Sequence, residues 1–477
     1  MKALSCGSFW PGAGPVLPGV RLLFDRGRVV SVEKCSGGID GLVMPSFIDG
    51  HMHFSWKASS LSAIDLSGVS GSDQMLSIVG AAPSSPDPIL RGIGFDDSSW
   101  DDPVLPSLAA LDAVSGDRPV VLTRVCGHLS LVNSALLRLV PPETPDVDRT
   151  EGRLTEGASL GFSRLFPVPG EVLLRNMEVL QETVFSRGVT GMGTMEHLRE
   201  ADMIGEWDPL LRTAVGVFSI DAPALLDREP GRYARWIKLF LDGTFGAGDA
   251  AVEGGYPDGS VVSPVMDDEE VAVLAGIAEK CGLGICAHAI GARAIRQVIG
   301  VSASGKGPEV RVEHAEELLP VLEDFPDQFP GRVSFCMQPN FVSRWQMPGG
   351  MYEKRLSAPR ARGLNPFGSL LSRGLRFGFG SDGMPFGPLN GISGATGHPS
   401  PDQRLSVGQA LGAYTLGAAD VCGFSDLAGV VAPGRPGHLC VLSADPFRGV
   451  PWDEVSVEAT ILDGAVVYGD PGIMGEA

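Results

Sequence analysis

The sequence predicts an α/β protein: a (β/α)8 TIM barrel carrying an inserted subdomain, together with a small β-sandwich domain formed from both chain ends. Three observations predict it. Strand-like and helix-like segments alternate through the middle of the chain, hairpin patterns occupy both ends, and histidines and an aspartate recur where the central strands stop.

With 477 residues and 44% apolar composition, the chain can bury a large core. At the start, VRLLF and RVVSV flank Asp25-Arg26-Gly27, a hairpin with glycine in the turn. Near the other end come HLCVL, ATILD and AVVYG, with Asp463-Gly464 at a second tight turn. Isolated hairpins are marginal in water, so residues 1–45 and 431–477 are expected to meet as one composite β-sandwich domain. Residues 46–430 then make the barrel. Its strands are read in GLVMPSFIDGHMHF, RGVTGMG, RWIKLFLDG, GLGICAHA, VRVEHAE, RVSFCMQP and LRFGFGSDG. Helices are expected over 268–280, from near Ala292, and over 406–417. A barrel needs about 250 residues, so roughly a hundred are insertion. The Pro-, Ser-, Asp- and Gly-rich stretch at about 62–170 is the candidate.

A net charge of −20 and a pI near 4.8 argue against nucleic acid or an anionic membrane as partner, since both would repel such a body. A small-molecule substrate is expected instead. No apolar run approaches the roughly 18 residues of a membrane span, and the first residues lack a signal-peptide pattern. A cytoplasmic location is therefore expected. Eight cysteines without a C-x-x-C pair read as reduced, mostly buried thiols. Oligomeric state is not readable from the sequence; a homodimer is possible, being the commonest association among soluble enzymes.

The chemistry begins at Pro45–Phe54. His51 and His53 stand at i and i+2 on one strand, so both project to one face, as two ligands of one ion require. The strand ends there, at the mouth where barrels keep their sites. His288, His314 and Asp382 occupy the corresponding ends of three later strands. Singly, each reads as a hydrogen-bonded core or turn residue; four histidines and a carboxylate converging from four strands do not. Lys238 lies inside the apolar strand Trp236–Phe240, where a bare ammonium is costly. Either that strand has an exposed face, or the amine is deprotonated and adds CO2, giving a carbamate that bridges two metal ions.

These segments resemble the amidohydrolase superfamily, and within it the YtcJ-like branch that includes N-substituted formamide deformylases. The resemblance spans nearly the whole chain: GFDDSSW, GHLSLVNSALL and GRLTEGAS in the insertion, then WIKLFLDGT, HAIGARAI, RVEHAE, MQP, GSDGMP and LAGVVAPGRPGHLCVLSADPF in the same order. It implies that His51, His53 and Asp382 hold one metal and His288 and His314 another, with carboxylated Lys238 between them. Two zinc ions per chain are implied, though the donor set also suits manganese, iron or nickel. A hydroxide held by the metals would attack a C–N bond, with Asp382 as general base and acid.

Several positions depart from the branch pattern. Ala292 replaces an acidic residue, Gly248 an arginine, Cys126 an aspartate, and Gly193-Thr194 a His-Asp pair. The substrate contacts therefore differ. His128 in the insertion and Gln338 of MQP are the candidate substrate-binding residues. Glu196 and His197 read as loop residues, His398 and His438 as solvent-facing, and Trp56 and Trp100 as packing aromatics. Two other readings stand: a mononuclear deaminase-type hydrolase with a structural Lys238, and a non-catalytic binding scaffold. The latter predicts decay of the ligand set, whereas all six positions are present.

Overall fold

The computed structural model describes residues 1–302, 307–325, 329 and 331–476. The chain forms two compact units, Met1–Phe54 with Gln181–Ala477, and Ser55–Leu180. Among the described residues no helix is long and apolar enough to cross a membrane.

The larger unit holds a parallel eight-stranded barrel sheet: β1 (Phe47–Met52), β2 (Val189–Glu196), β3 (Arg212–Phe218), β4 (Ala234–Phe240), β5 (Gly284–Ala289), β6 (Val310–His314), β7 (Val333–Met337) and β8 (Phe377–Phe379). Each pairs with the next in chain order. Their residues are buried almost throughout, as expected of strands covered on both sides. Between them, the helix Asp268–Cys281 starts on a capping box of Asp267 and Glu270 and stops at left-handed Gly282. It buries Val271, Ala275 and Ala278, one stripe at helical spacing.

No ladder joins β8 to β1 among the described residues. The circle closes instead where the Asp382 N–H donates to His51 O at 2.8 Å, and where Gly380 meets the backbone of β1. A Cβ on Gly380 would lie 2.3 Å from His51 N, so only glycine allows this approach.

Two readings of the strands need correction. The segment β3 carries no polar group at its end to mark it, and it is the eighth strand that the sequence left unread. The single strand expected over 41–54 is two: Leu42–Pro45 belongs to the terminal sheet and β1 to the barrel. Ser46 is the switch, its N–H on His438 O and its hydroxyl 2.5 Å from Thr190 Oγ1.

The chain ends form one continuous sheet rather than two separately bonded layers. Its order is Ala465–Tyr468, Val457–Leu462, Leu439–Leu442, Leu42–Pro45, Lys2–Phe9, Leu17–Asp25 and Arg28–Lys34. Both predicted turns take φ > 0 at their two central residues, Arg26-Gly27 and Asp463-Gly464, the geometry that suits strand twist. Its two ends meet through Gly437, which donates to Gly27 O and accepts from Gly464 N. Leu4, Phe9, Leu22, Phe24, Val43, Val441 and Ile461 pack on the apolar side.

His398 and His438 are buried, not solvent-facing. His398 Nδ1 accepts from Ser400 N at 3.0 Å and Nε2 lies 3.2 Å from Leu364 O; His438 Nδ1 accepts from Asp463 N at 3.2 Å. Both ring nitrogens of His398 are engaged, so that neutral imidazole can be buried cheaply, whereas Nε2 of His438 has no hydrogen-bond partner and lies 3.7 Å from Asp463 Oδ1.

The smaller unit contains the stretch read as insertion. It is an ordered six-stranded sheet with its own apolar clusters, one around Leu66, Phe95, Trp100 and Leu122, another around Val121, Leu136 and Phe162. Trp100 donates from Nε1 to Val69 O and packs as expected, whereas Trp56 is exposed.

Candidate metal centre

The alternation of β1 sends Asp49 and His51 to the same side. Asp49 is fully buried and turned to β8: its carboxylate accepts from Ser381 N at 2.8 Å and from the Ser381 hydroxyl at 2.5 Å. Burial pushes it up to about 6. His51 Nδ1 lies 2.5 Å from Glu313 Oε2, and its Nε2 is buried without a hydrogen-bond partner, 3.6 Å from Asp382 Oδ1. His53 Nε2 is 3.5 Å from the same oxygen. His51, His53 and Asp382 thus bring donor atoms within 4.8 Å of one another.

The other candidates surround this group. The rings of His51 and His314 are 5.1 Å apart and those of His288 and His314 are 4.4 Å apart, centroid to centroid. His314 Nδ1 is 2.7 Å from Gln338 Oε1, leaving Nε2 free. His288 is held the opposite way, with Nε2 donating to Gly243 O at 3.0 Å and Nδ1 left over. Both His314 and Asp382 have left-handed backbone, φ 69° and 53°. Such conformations cost about 1–2 kcal/mol for non-glycine residues and cluster at functional sites.

Lys238 settles the question of an exposed face: it is fully buried, as are Ile237 and Leu239 beside it. Its Nζ has no hydrogen-bond partner and sits 5.0 Å from the Phe240 ring centroid. Burial pushes its pKa down. Burial, followed by Lys238, lowers His53 to about 4 and His288 to about 3, and drives His51 far below the usual imidazole range. His314 is driven down likewise, by burial and then by the rings of His288 and His51. All four imidazoles are therefore neutral at pH 7, the form that binds metal. Burial pushes Asp382 the other way, up to about 7, against the pull of Lys238.

A divalent cation fits this donor set. Two buried polar atoms, His51 Nε2 and Lys238 Nζ, lack partners, and neutral imidazoles with a carboxylate are ligands of zinc and its neighbours.

His128 lies in the smaller unit, half exposed, with Nδ1 2.8 Å from Glu156 Oε2. Gln338 is buried, its carbonyl on His314 and its amide on Cys336 O. His197 stands 4.7 Å from the Phe218 ring, and Phe218 stacks on His53 at 6.3 Å; its Nδ1 is 2.9 Å from Asp221 Oδ2. Glu196 is buried and accepts from the Thr194 hydroxyl at 2.5 Å. At the departure site Ala292, the N–H donates to Glu317 Oε2 at 3.0 Å.

Three residues escaped the sequence reading. Glu313 and Arg311 both point inward from β6, and two charges at i and i+2 in an apolar barrel strand were the available signal. Asp242 accepts from Ala251, Ile290 and Gly291 N–H groups at 2.8–3.0 Å, tying the loop after β4 to the turn after β5.

The chain matches the Amidohydrolase family model over residues 40–468. It is 26% identical over 485 residues to the putative amidohydrolase YtcJ of Bacillus subtilis, covering 90% of each chain. It is also 26% identical to the N-substituted formamide deformylase of Arthrobacter pascens, over 89% of this chain and 88% of the other. In three dimensions it superposes on an uncharacterized metal-dependent hydrolase from Pyrococcus horikoshii with a TM-score of 0.80 and 22% identity, covering 95% and 99% of the two chains. A family match across most of the chain, on a barrel whose strand ends carry these histidines and this aspartate, means that the chain belongs to the amidohydrolase family.

Proposed function

We propose that the chain is a metal-dependent hydrolase cleaving a carbon–nitrogen bond other than a peptide bond, in a small amide, formamide or cyclic amide. The observation that carries this reading is the unpartnered amine of Lys238, buried among neutral imidazoles. The similarity to a formamide deformylase supports the bond type.

His51, His53 and Asp382 would hold one cation, and His288 and His314 a second. Burial lowers the pKa of Lys238 and so favours its free amine, which by adding CO2 and releasing a proton would become a carbamate, an anionic oxygen donor for the cations. When bound, the cations polarise the substrate carbonyl and acidify water. Asp382 would accept the proton of the attacking water and deliver it to the leaving nitrogen, a task suited to a carboxylate beside the site. Phe218 and Phe240 flank His53 and His288, and Phe240 is 41% exposed, so the substituent carried by the scissile bond on that side meets aromatic surface.

One observation favours a single-cation variant: only His51, His53 and Asp382 form a tight donor group among the described residues. Metal analysis separates the two, with about two ions per chain expected here and one for the variant. Asp382→Asn should fold normally and lose on the order of 10²–10⁴-fold in turnover of N-formyl, N-acyl or cyclic amides. Near-normal turnover in that variant would remove Asp382 from the mechanism.

A further inference from the structure

We propose that Glu313, clamped by Arg311, is the positioning residue of His51: it sets which ring nitrogen faces the metal site and holds the ring there. The inference rests on the metal-dependent reading above. Arg311 and Glu313 are 1% and 0% exposed, an ion pair inside the barrel. Such a pair is a weak source of stability, because desolvating both charges offsets most of their attraction. Its geometry points elsewhere. Glu313 Oε2 takes His51 Nδ1 at 2.5 Å while Oε1 takes Arg311 Nε at 2.6 Å. Arg311 is itself fixed, its guanidinium 3.9 Å from the Trp236 ring centroid and its Nη1 on Val421 O at 3.3 Å.

Two consequences follow for the site. With Nδ1–H committed to a carboxylate, the lone pair of His51 must sit on Nε2, the buried nitrogen that faces Asp382. A carboxylate behind an imidazole also makes it a stronger ligand. In addition, Arg311 and His51 occupy the two Glu313 oxygens, and neither oxygen hydrogen-bonds Lys238 Nζ, although Glu313 lies near enough to act on its charge. Lys238 Nζ is thereby left without a hydrogen bond to Glu313.

The test is the zinc affinity of the metal-free protein, measured by competition with graded chelators in a cycle of wild type, Glu313→Gln, His51→Asn and the double variant. Glu313→Gln should weaken zinc binding about 10–100-fold in the wild-type background and have little effect once His51 is gone. Unchanged affinity, or the same loss in both backgrounds, overturns the proposal, because a merely structural role would not depend on His51. Glu313→Gln strands the Arg311 charge and could misfold, so Arg311→Met/Glu313→Gln, which removes both charges, runs through the same cycle with the same expectation. No zinc binding by the wild-type protein would sink the metal reading itself, an outcome distinct from wild-type binding that the variants leave intact.

Discussion

Lys238 holds an amine in a wall of apolar residues with nothing to donate to. An unpaired polar group so placed costs about 1–3 kcal/mol on mutational scales. Lys238→Met should therefore raise the unfolding free energy of the metal-free protein by about that amount while abolishing turnover, a trade between stability and function. Denaturant unfolding of the metal-free protein checks the first part; a less stable variant would mean that the amine has a stabilising partner. Lys238→Ala, with room left in the wall, should recover part of its activity with short carboxylic acids in place of the carbamate. At this scale the histidines were legible because strand ends and i, i+2 spacing follow from backbone geometry. Glu313 was hidden in the same motif that revealed His314, since its significance lies in contact with His51, 262 positions away. The partner of Gln338 was hidden for the same reason: nothing in MQP says that its carbonyl meets a histidine ring.

Among the elements, the seam between β1 and β8 is the least redundant part of the barrel, held by backbone approach at Gly380 rather than by a ladder. Gly380→Ala would press a methyl group against His51 N and displace β1 with its two ligands. The expected result is a stability loss of about 1–3 kcal/mol or more, with weakened metal binding, read by thermal unfolding and chelator competition. An unaltered metal affinity would show that the seam can shift without moving His51. Periodicity and turn chemistry exposed both hairpins and seven strand segments, because glycine at φ > 0 and short apolar runs have local causes. They missed β3, an apolar run with no polar end, and they fused Leu42–Pro45 with β1, because an apolar run does not say which sheet it joins.

For the whole molecule, acid should act through buried neutral histidines. Burial lowers His438 to about 4 and lowers His398 as well. The unfolded chain protonates these rings near 6.5 while the folded chain does not, so unfolding takes up protons and stability rises with pH in this range. The contribution of His438 is complete above 6.5 and is lost as pH falls from 6.5 toward 4, by up to about 1.4 kcal/mol per pH unit, and that of His398 is lost in the same direction below 6.5. The midpoint of thermal unfolding should fall accordingly, and His438→Asn, which keeps an acceptor for Asp463 N, should flatten the slope; an equal slope in that variant would assign acid sensitivity elsewhere. The barrel and its terminal β domain were legible at this scale because they rest on the order of elements. The ordered sheet of Ser55–Leu180 was not, because its strands are short and its turn residues outweigh its apolar runs.

The terminal sheet also sets a timetable for synthesis. Leu42–Pro45 lies beside Lys2–Phe9 on one edge, but its other neighbour is Leu439–Leu442, about 400 residues downstream. At 5–20 residues per second a ribosome needs roughly 20–80 s to deliver that strand. Throughout that interval Phe9, Leu22, Phe24 and Val43 wait beside an unpaired strand edge. Burial of that edge therefore waits until Leu439–Leu442 has been made.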